Sequence, residues 1–185
     1  MHQRFTLFVD KMNCLVQGAR GNEEAILTGG SELLKELVKR DDWLPDEFAQ
    51  PHPDHYQQYL LYCAPDKSFS VVSFVWGPGQ ATPIHDHTVW GLIGMLRGSE
   101  IEESFSIAGE GHPMKKEGET RLDPGMTGMV SPTIGDIHRV SNAYDNRVSI
   151  SIHVYGADIG QVKRHVIDEQ TGAIKSFISG YANRQ

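Results

Sequence analysis

The run Gly79-Gln80-Ala81-Thr82-Pro83-Ile84-His85-Asp86-His87 places two histidines one residue apart, and its reading decides the fold. Side chains at i and i+2 of an extended segment point the same way, so both rings can meet one ion. His138, about fifty residues on, supplies a third imidazole from a distant strand. Neutral imidazole is the commonest protein metal ligand, and the three histidines together predict a metal site. A bare His-x-His is a weak signal, and the chain holds nine histidines, so satisfied core or surface histidines are the competing reading. The surroundings favour the metal. Gly79, Gly91, Gly94 and Gly98 punctuate the first run, as expected where strands turn tightly or backbones approach closely, and Pro132, Gly135 and Asn142 frame His138. His52, His55 and His112 sit in proline- or charge-rich stretches and read as solvated; His2 is terminal.

These frames resemble the two signature motifs of the cupin superfamily, whose β-barrel carries a metal near its mouth. The first motif matches closely: Gly79, five residues, His85, one residue, His87, three residues to a variable ligand position, then six residues to Gly98. Most metal-binding cupins carry glutamate at the variable position. Here it is Gly91, so the resemblance implies three histidines and no protein carboxylate. The second motif keeps the Gly135, His138 and Asn142 spacing, with one extra residue between Pro132 and Gly135.

At 185 residues the chain is long enough for one core with a helical annex and short for two ordinary domains. The expected organisation is a single domain over 1–185, with a helical lead-in over 1–50 and a β-barrel over 56–185. A formal charge of −7 without a basic face argues against nucleic-acid or anionic-membrane partners. No long apolar span or secretory leader is legible, so a cytoplasmic location is expected. Cys14 and Cys63 lie far apart without metal-like spacing, which suits a reducing compartment and suggests that both pack as small hydrophobes.

Phe5, Phe8, Met12, Leu15 and Val16 recur at helix spacing. After a break at Thr28-Gly29-Gly30-Ser31, Leu33, Leu34, Leu37 and Val38 predict a second helix with Ser31 as its N-cap. Pro45, Pro51 and Pro53 end the helical part. Residues 59–63, 69–76, 89–96, 101–107, 148–155 and 162–167 are short β-prone runs separated by Gly, Pro, Asp and Asn, the pattern of a barrel or sandwich. The segment from Glu110 to Gly118 reads as an exposed hairpin connection.

Ser149-Ile150-Ser151-Ile152-His153-Val154-Tyr155 alternates strictly between polar and apolar. A half-exposed strand alternates in the same way, whereas a barrel strand turns its polar side inward when the interior holds an ion and substrate. The residues alone leave both open. Turned inward, serine, histidine and tyrosine two apart form a hydrogen-bonded line that directs the tyrosine hydroxyl at a ligand.

Here the chain resembles the thiol dioxygenases, the cysteine dioxygenase family within the cupins, over most of its length. The resemblance rests on Ile84-His85-Asp86-His87-Thr88, Met95-Leu96-Arg97-Gly98, His138-Arg139-Val140-Ser141-Asn142 and the Ser151, His153, Tyr155 series. It implies a mainly β cupin (double-stranded β-helix, or jelly-roll) barrel behind an N-terminal helical segment. It also implies Fe(2+) held by His85, His87 and His138, catalytic support from Ser151, His153 and Tyr155, and addition of both atoms of O2 to a substrate sulfur to give a sulfinate. Two departures separate the chain from the mammalian pattern. A cysteine crosslinked to the active-site tyrosine there is Gly91 here, so Tyr155 is expected to be uncrosslinked. An arginine that pairs with the carboxylate of cysteine there is Gln58 here. Both changes resemble the bacterial 3-mercaptopropionate dioxygenase branch, in which an arginine from another strand serves the carboxylate, matched here by Arg164. Gln58, Arg164 and Tyr155 are therefore the expected substrate-binding set, and Trp76 and Trp90 are expected to keep the pocket dry. Without the resemblance, Gln58 and Arg164 read as solvated strand surface.

The chemistry suits the residues. Three uncharged ligands leave a divalent ion its full charge and open positions, which an anionic mercapto acid fills. The alternatives are cysteine dioxygenase acting on L-cysteine, a zinc cupin enzyme with an activated water, and a cupin binding module without turnover. The sequence leaves open substrate denticity on the metal, pathway, and whether the chain is a monomer or a small homo-oligomer.

Overall fold

The structure, a computed structural model, describes residues 2–109 and 111–184. Helices α1 (Gln3–Ala19) and α2 (Glu23–Val38) lead into strands β1 (Gln57–Cys63), β2 (Ser70–Trp76), β3 (Ile84–His85), β4 (Gly91–Arg97), β5 (Glu100–Ser106) and β6 (Lys115–Leu122). Strands β7 (Thr127–Val130), β8 (His138–Asn142), β9 (Ser149–Tyr155), β10 (Arg164–Ile167) and β11 (Ile174–Phe177) follow. One sheet runs β1-β2-β9-β4-β7 and the other β11-β10-β3-β8-β5-β6, with antiparallel pairing throughout. The result is the mainly β, double-stranded β-helix barrel behind a helical lead-in that the family resemblance implies. No described helix is long and apolar enough to cross a membrane.

The five-stranded sheet is buried on both faces. Its outer face (Val71, Val75, Leu92, Ile150, Ile152, Val154) packs on Phe5, Phe8, Met12, Leu34 and Leu37 of the helices. Its inner face carries Val72, Phe74, Trp76 and Tyr155 toward the barrel interior. This double burial explains why β2 and β9 are buried at every position, and it decides the alternation of β9: the isoleucines face the helices, so serine, histidine and tyrosine face inward.

Several sequence expectations need correction. The chain breaks at Arg20, in left-handed conformation, and α2 begins at the N-cap Asn22, whose side chain accepts from the Ala25 N–H. Helix α2 then runs straight through Thr28 to Ser31. Its two glycines serve close packing: a Cβ at Gly30 would stand 2.6 Å from Leu92 Cδ1, and one at Gly29 3.1 Å from Leu15 Cδ1. Ser31 caps nothing; its hydroxyl meets Thr127 Oγ1 at 2.9 Å and ties α2 to β7. Cys14 is exposed and Cys63 half-buried, so neither is core filler. The hairpin connection is shorter than expected, since β6 begins at Lys115; Glu110 lies outside the described residues. The period-2 pattern failed at β6, β7 and β11, which are sheet-edge strands with mostly polar or exposed positions.

Gly94 faces α2, and a Cβ there would lie 2.7 Å from Leu34 Cγ and 3.0 Å from Val38 Cγ1. Gly94→Ala is therefore expected to destabilise the protein by about 1–3 kcal/mol, as overpacked cores do. Urea unfolding of both proteins checks this, and an unchanged midpoint would contradict it.

Candidate metal centre

Strand β3 delivers His85, the turn after it His87, and β8 delivers His138, the register partner of His85. Their ligand atoms all lie within 4.8 Å of one another, and each pair of rings is separated by 4.8 Å between centres. All three are buried. Each ring donates its Nδ1–H outward: His85 to the Pro83 carbonyl at 3.0 Å, His87 to Asp136 at 2.9 Å and His138 to Glu102 at 2.8 Å. That arrangement fixes the tautomers and leaves the Nε2 lone pairs for a shared ligand. Burial, with the neighbouring imidazoles and the Arg164 charge adding to it, holds His85 and His87 well below the usual histidine range, so these two rings are uncharged at neutral pH.

Asp136 does more than orient a ring. Its carboxylate also accepts the backbone N–H of His87 at 3.0 Å and of Thr88 at 2.9 Å, and Thr88 is held at φ 60°. Asp86, between the two histidines, takes both the backbone N–H and the ring N–H of His165 at 2.8 Å, which clamps β10 beside β3. The residue before His165 on β10 is Arg164.

From the opposite sheet, β9 points Ser151, His153 and Tyr155 at the centre. Ser151 Oγ lies 2.8 Å from His153 Nε2, and His153 Nδ1 lies 2.8 Å from the Tyr155 hydroxyl. The Tyr155 ring stacks on His87 with 5.4 Å between centres. Burial lowers His153 to about 3, with His138 and Arg164 adding, and raises the Tyr155 phenol well above its ordinary value. The line therefore holds neutral groups and moves protons only by switching tautomers. Gly91 is the register partner of Tyr155, and a Cβ there would lie 2.9 Å from Val130 Cγ2 and 3.1 Å from the Tyr155 ring. The phenol thus occupies the space beside Gly91, the variable ligand position of the first motif.

Gln58 and Arg164 are buried, contrary to a solvated-surface reading. Both reach the C-terminal segment: Gln58 Nε2 donates to Ser179 Oγ at 3.2 Å and the Gly180 carbonyl at 3.0 Å, and Arg164 Nη2 donates to Ser179 Oγ at 2.7 Å. Arg164 lies 4.8 Å over the Phe177 ring, its Nε is buried without a hydrogen-bond partner, and among the described residues no carboxylate pairs with it. A buried, unpaired guanidinium is costly, and an anionic ligand relieves that cost. Tyr56, Phe74 and Trp76 form an aromatic wall, with 5.0 Å between the centres of Tyr56 and Trp76 and 5.7 Å between those of Phe74 and Trp76. Trp90 is not part of it; it packs with the core between the helices and the sheet.

Asp136, Glu102, Asp86 and Ser179 join the site without having been expected from the sequence. Asp86 and Asp136 each lie within two residues of a site histidine, which was the available signal; Glu102 and Ser179 had none.

Residues 32–167 match the family model for cysteine dioxygenase type I. Human cysteine dioxygenase type 1 is 29% identical over 106 residues, 56% of this chain and 52% of that protein. The Danio rerio enzyme of the same name is 27% identical over 150 residues, 77% of this chain and 72% of that protein. The chain thus spans about half the length of the mammalian relatives it matches. Among solved structures it is similar to a Klebsiella pneumoniae protein with a double-stranded β-helix domain, at TM-score 0.49 and 14% identity, covering 74% of this chain and 97% of that one.

Proposed function

This chain belongs to the cysteine dioxygenase type I family, and from that premise we propose that it is an Fe(2+)-dependent thiol dioxygenase that converts 3-mercaptopropionate and O2 to the sulfinate. The buried Arg164, beside the three histidines and without a carboxylate partner among the described residues, is the observation that carries the reading. His85, His87 and His138 hold the metal, and their outward Nδ1–H bonds fit that use. Bound there, Fe(2+) supplies the Lewis acidity that keeps the substrate sulfur a thiolate and the redox capacity for dioxygen chemistry.

The protein's own groups do the rest. Arg164 takes the substrate carboxylate in a charge-assisted pair. Gln58 keeps Ser179 and Gly180 in place at that end of the cavity and, being neutral, offers the carboxylate no ion pair. Tyr155, held by His153 and Ser151, presents its hydroxyl to the ligand, and the aromatic wall keeps water out. The whole of 1–185 acts as one domain in this reading, and two free thiols suit a cytoplasmic setting.

L-Cysteine is the second reading, favoured by the names of the relatives. Oxygen uptake and sulfinate formation, measured with both thiols on iron-loaded protein, decide between them; a higher kcat/KM for L-cysteine would overturn the choice of 3-mercaptopropionate. Gln58→Arg, which adds a second cation for a carboxylate, is expected to raise the ratio of cysteine to 3-mercaptopropionate turnover by about tenfold, worth about 1.4 kcal/mol. An unchanged ratio would mean that Gln58 does not select.

A further inference from the structure

Glu100 on β5 is 1% exposed, and its Oε2 is buried without a hydrogen-bond partner. Its register partners are Leu122 on β6 and Asn142 on β8, both buried, so the carboxyl shares their inward face. Its register partner Asn142 donates to the Trp76 carbonyl at 3.2 Å, which brings the carboxyl beside the Trp76 indole and the Ser151 hydroxyl. The indole N–H donates to Ser151 Oγ at 3.2 Å, and Ser151 is the end of the β9 line farther from Tyr155.

We propose that Glu100 completes a four-residue proton line through Ser151 and His153 to Tyr155, and that its carboxylate stores the proton the substrate thiol gives up at the Tyr155 hydroxyl. This rests on the thiol reading of the site. Glu100 touches neither substrate nor metal; it is a positioning residue that acts through Tyr155.

The hydrogen bonds permit two consistent directions. With Glu100 ionised, Ser151 donates to the carboxylate, His153 donates from Nε2 to Ser151, and Tyr155 donates to His153 Nδ1, so the phenol offers a lone pair to the ligand. A proton arriving at Tyr155 then shifts every bond by one: Tyr155 passes its own to Nδ1, Nε2 passes one to Ser151, and Ser151 passes one to Glu100. The S–H bond breaks with its electron pair left on sulfur, an O–H bond forms on Glu100, and the negative charge moves from carboxylate to thiolate. After the shift the Tyr155 hydroxyl points at the ligand as a donor.

The surroundings suit a carboxyl that changes state near neutrality. Burial raises it to about 8, with Glu102 adding to the rise and the bonds from Ser151 and Trp76 opposing it. Glu102 is the charged neighbour on its own strand; β9 contributes His153 and Tyr155 beyond Ser151. The other facing groups, Trp76 on β2, Leu122 on β6 and Asn142 on β8, do not ionise.

Glu100→Gln tests the idea, because the amide keeps the shape and cannot ionise. Infrared spectra of the metal-free protein should show the carbonyl stretch of a buried protonated carboxyl that disappears as pH rises through about 8, is missing in Glu100→Gln and shifts in Ser151→Ala. A band unaltered in Glu100→Gln overturns the proposal. A carboxyl raised from 4.5 to about 8 contributes stability that is full below 4.5 and is lost as pH rises toward 8. The melting temperature of Glu100→Gln should therefore gain on the parent across that window and hold its lead above it; parallel curves overturn the proposal. In iron-loaded protein, kcat/KM for 3-mercaptopropionate should rise through about pH 8. Glu100→Gln should lack that limb and fall about 10²-fold, the size of one general-base contribution, while Glu100→Asp retains a displaced limb. A persisting limb in Glu100→Gln overturns the proton line and leaves the dioxygenase reading intact. If neither protein consumes oxygen with any small thiol, that reading falls and takes the thiol proton with it, while the infrared band still reports whether Glu100 holds a proton.

Discussion

His138→Ala is expected to lose both bound iron and thiol-dependent oxygen uptake, leaving activity at background. The reason is geometric. His85 and His87 come from one short stretch, and only His138, across the β3–β8 bridge, closes the site from another strand. Two imidazoles on one side of an ion leave it exposed to water and to competing chelators. Elemental analysis of parent and variant purified in parallel, with oxygen-electrode assays, measures both losses, and circular dichroism separates site loss from unfolding. Glu102→Gln provides the graded companion. Its carboxylate accepts the His138 Nδ1–H at 2.8 Å, and weakening that bond should cost about 10- to 100-fold in metal affinity or activity. A His138→Ala protein that kept full iron and full turnover would remove the metal centre from this description. Iron in protein purified without added metal would be informative, because affinity alone favours zinc and copper over ferrous iron.

The second large effect concerns Arg164. Arg164→Met should lower kcat/KM for 3-mercaptopropionate by about 10²–10³-fold, since truncating one side of a buried charged pair costs about 2–5 kcal/mol. The same change should leave the ligand-free protein at least as stable as the parent. Arg164 is buried, and among the described residues its Nε has no partner and its side chain hydrogen-bonds a serine hydroxyl alone. Replacing an uncompensated buried cation with a side chain of similar volume is neutral or favourable. Kinetics with propanethiol complete the test, because a thiol without a carboxylate cannot use the arginine. Equal losses for both thiols would show that Arg164 shapes the site without binding the carboxylate.

The histidine triad, the shared face of Ser151, His153 and Tyr155 and the helical lead-in were legible in the sequence because each rests on a local period; that this face turns inward was decided by the burial of the sheet against the helices. His85 and His87 share a direction through the two-residue repeat of extended chain, and Ser151, His153 and Tyr155 do the same on β9. The apolar spacing of α1 is likewise a property of consecutive residues. The Gly29-Gly30 pair shows where local reading stops. Two glycines in a row signal a break unless a neighbouring element needs their missing side chains, and Leu15 and Leu92 do.

Residue order by itself determined that three imidazoles would be available, that no carboxylate would join them at Gly91, and that a serine, a histidine and a tyrosine would share one face of a strand. Only the tertiary structure decided what holds them. The Asp136 partner of His87 is 49 positions away, the Glu102 partner of His138 is 36 away, and Ser179 lies 121 from Gln58. Such pairings come from strand register and sheet closure, which link distant positions without leaving a mark on either one's neighbours. Burial is decided in the same way: Glu100 and Arg164 look like surface charges in the chain and become buried, incompletely partnered groups once the two sheets close around them.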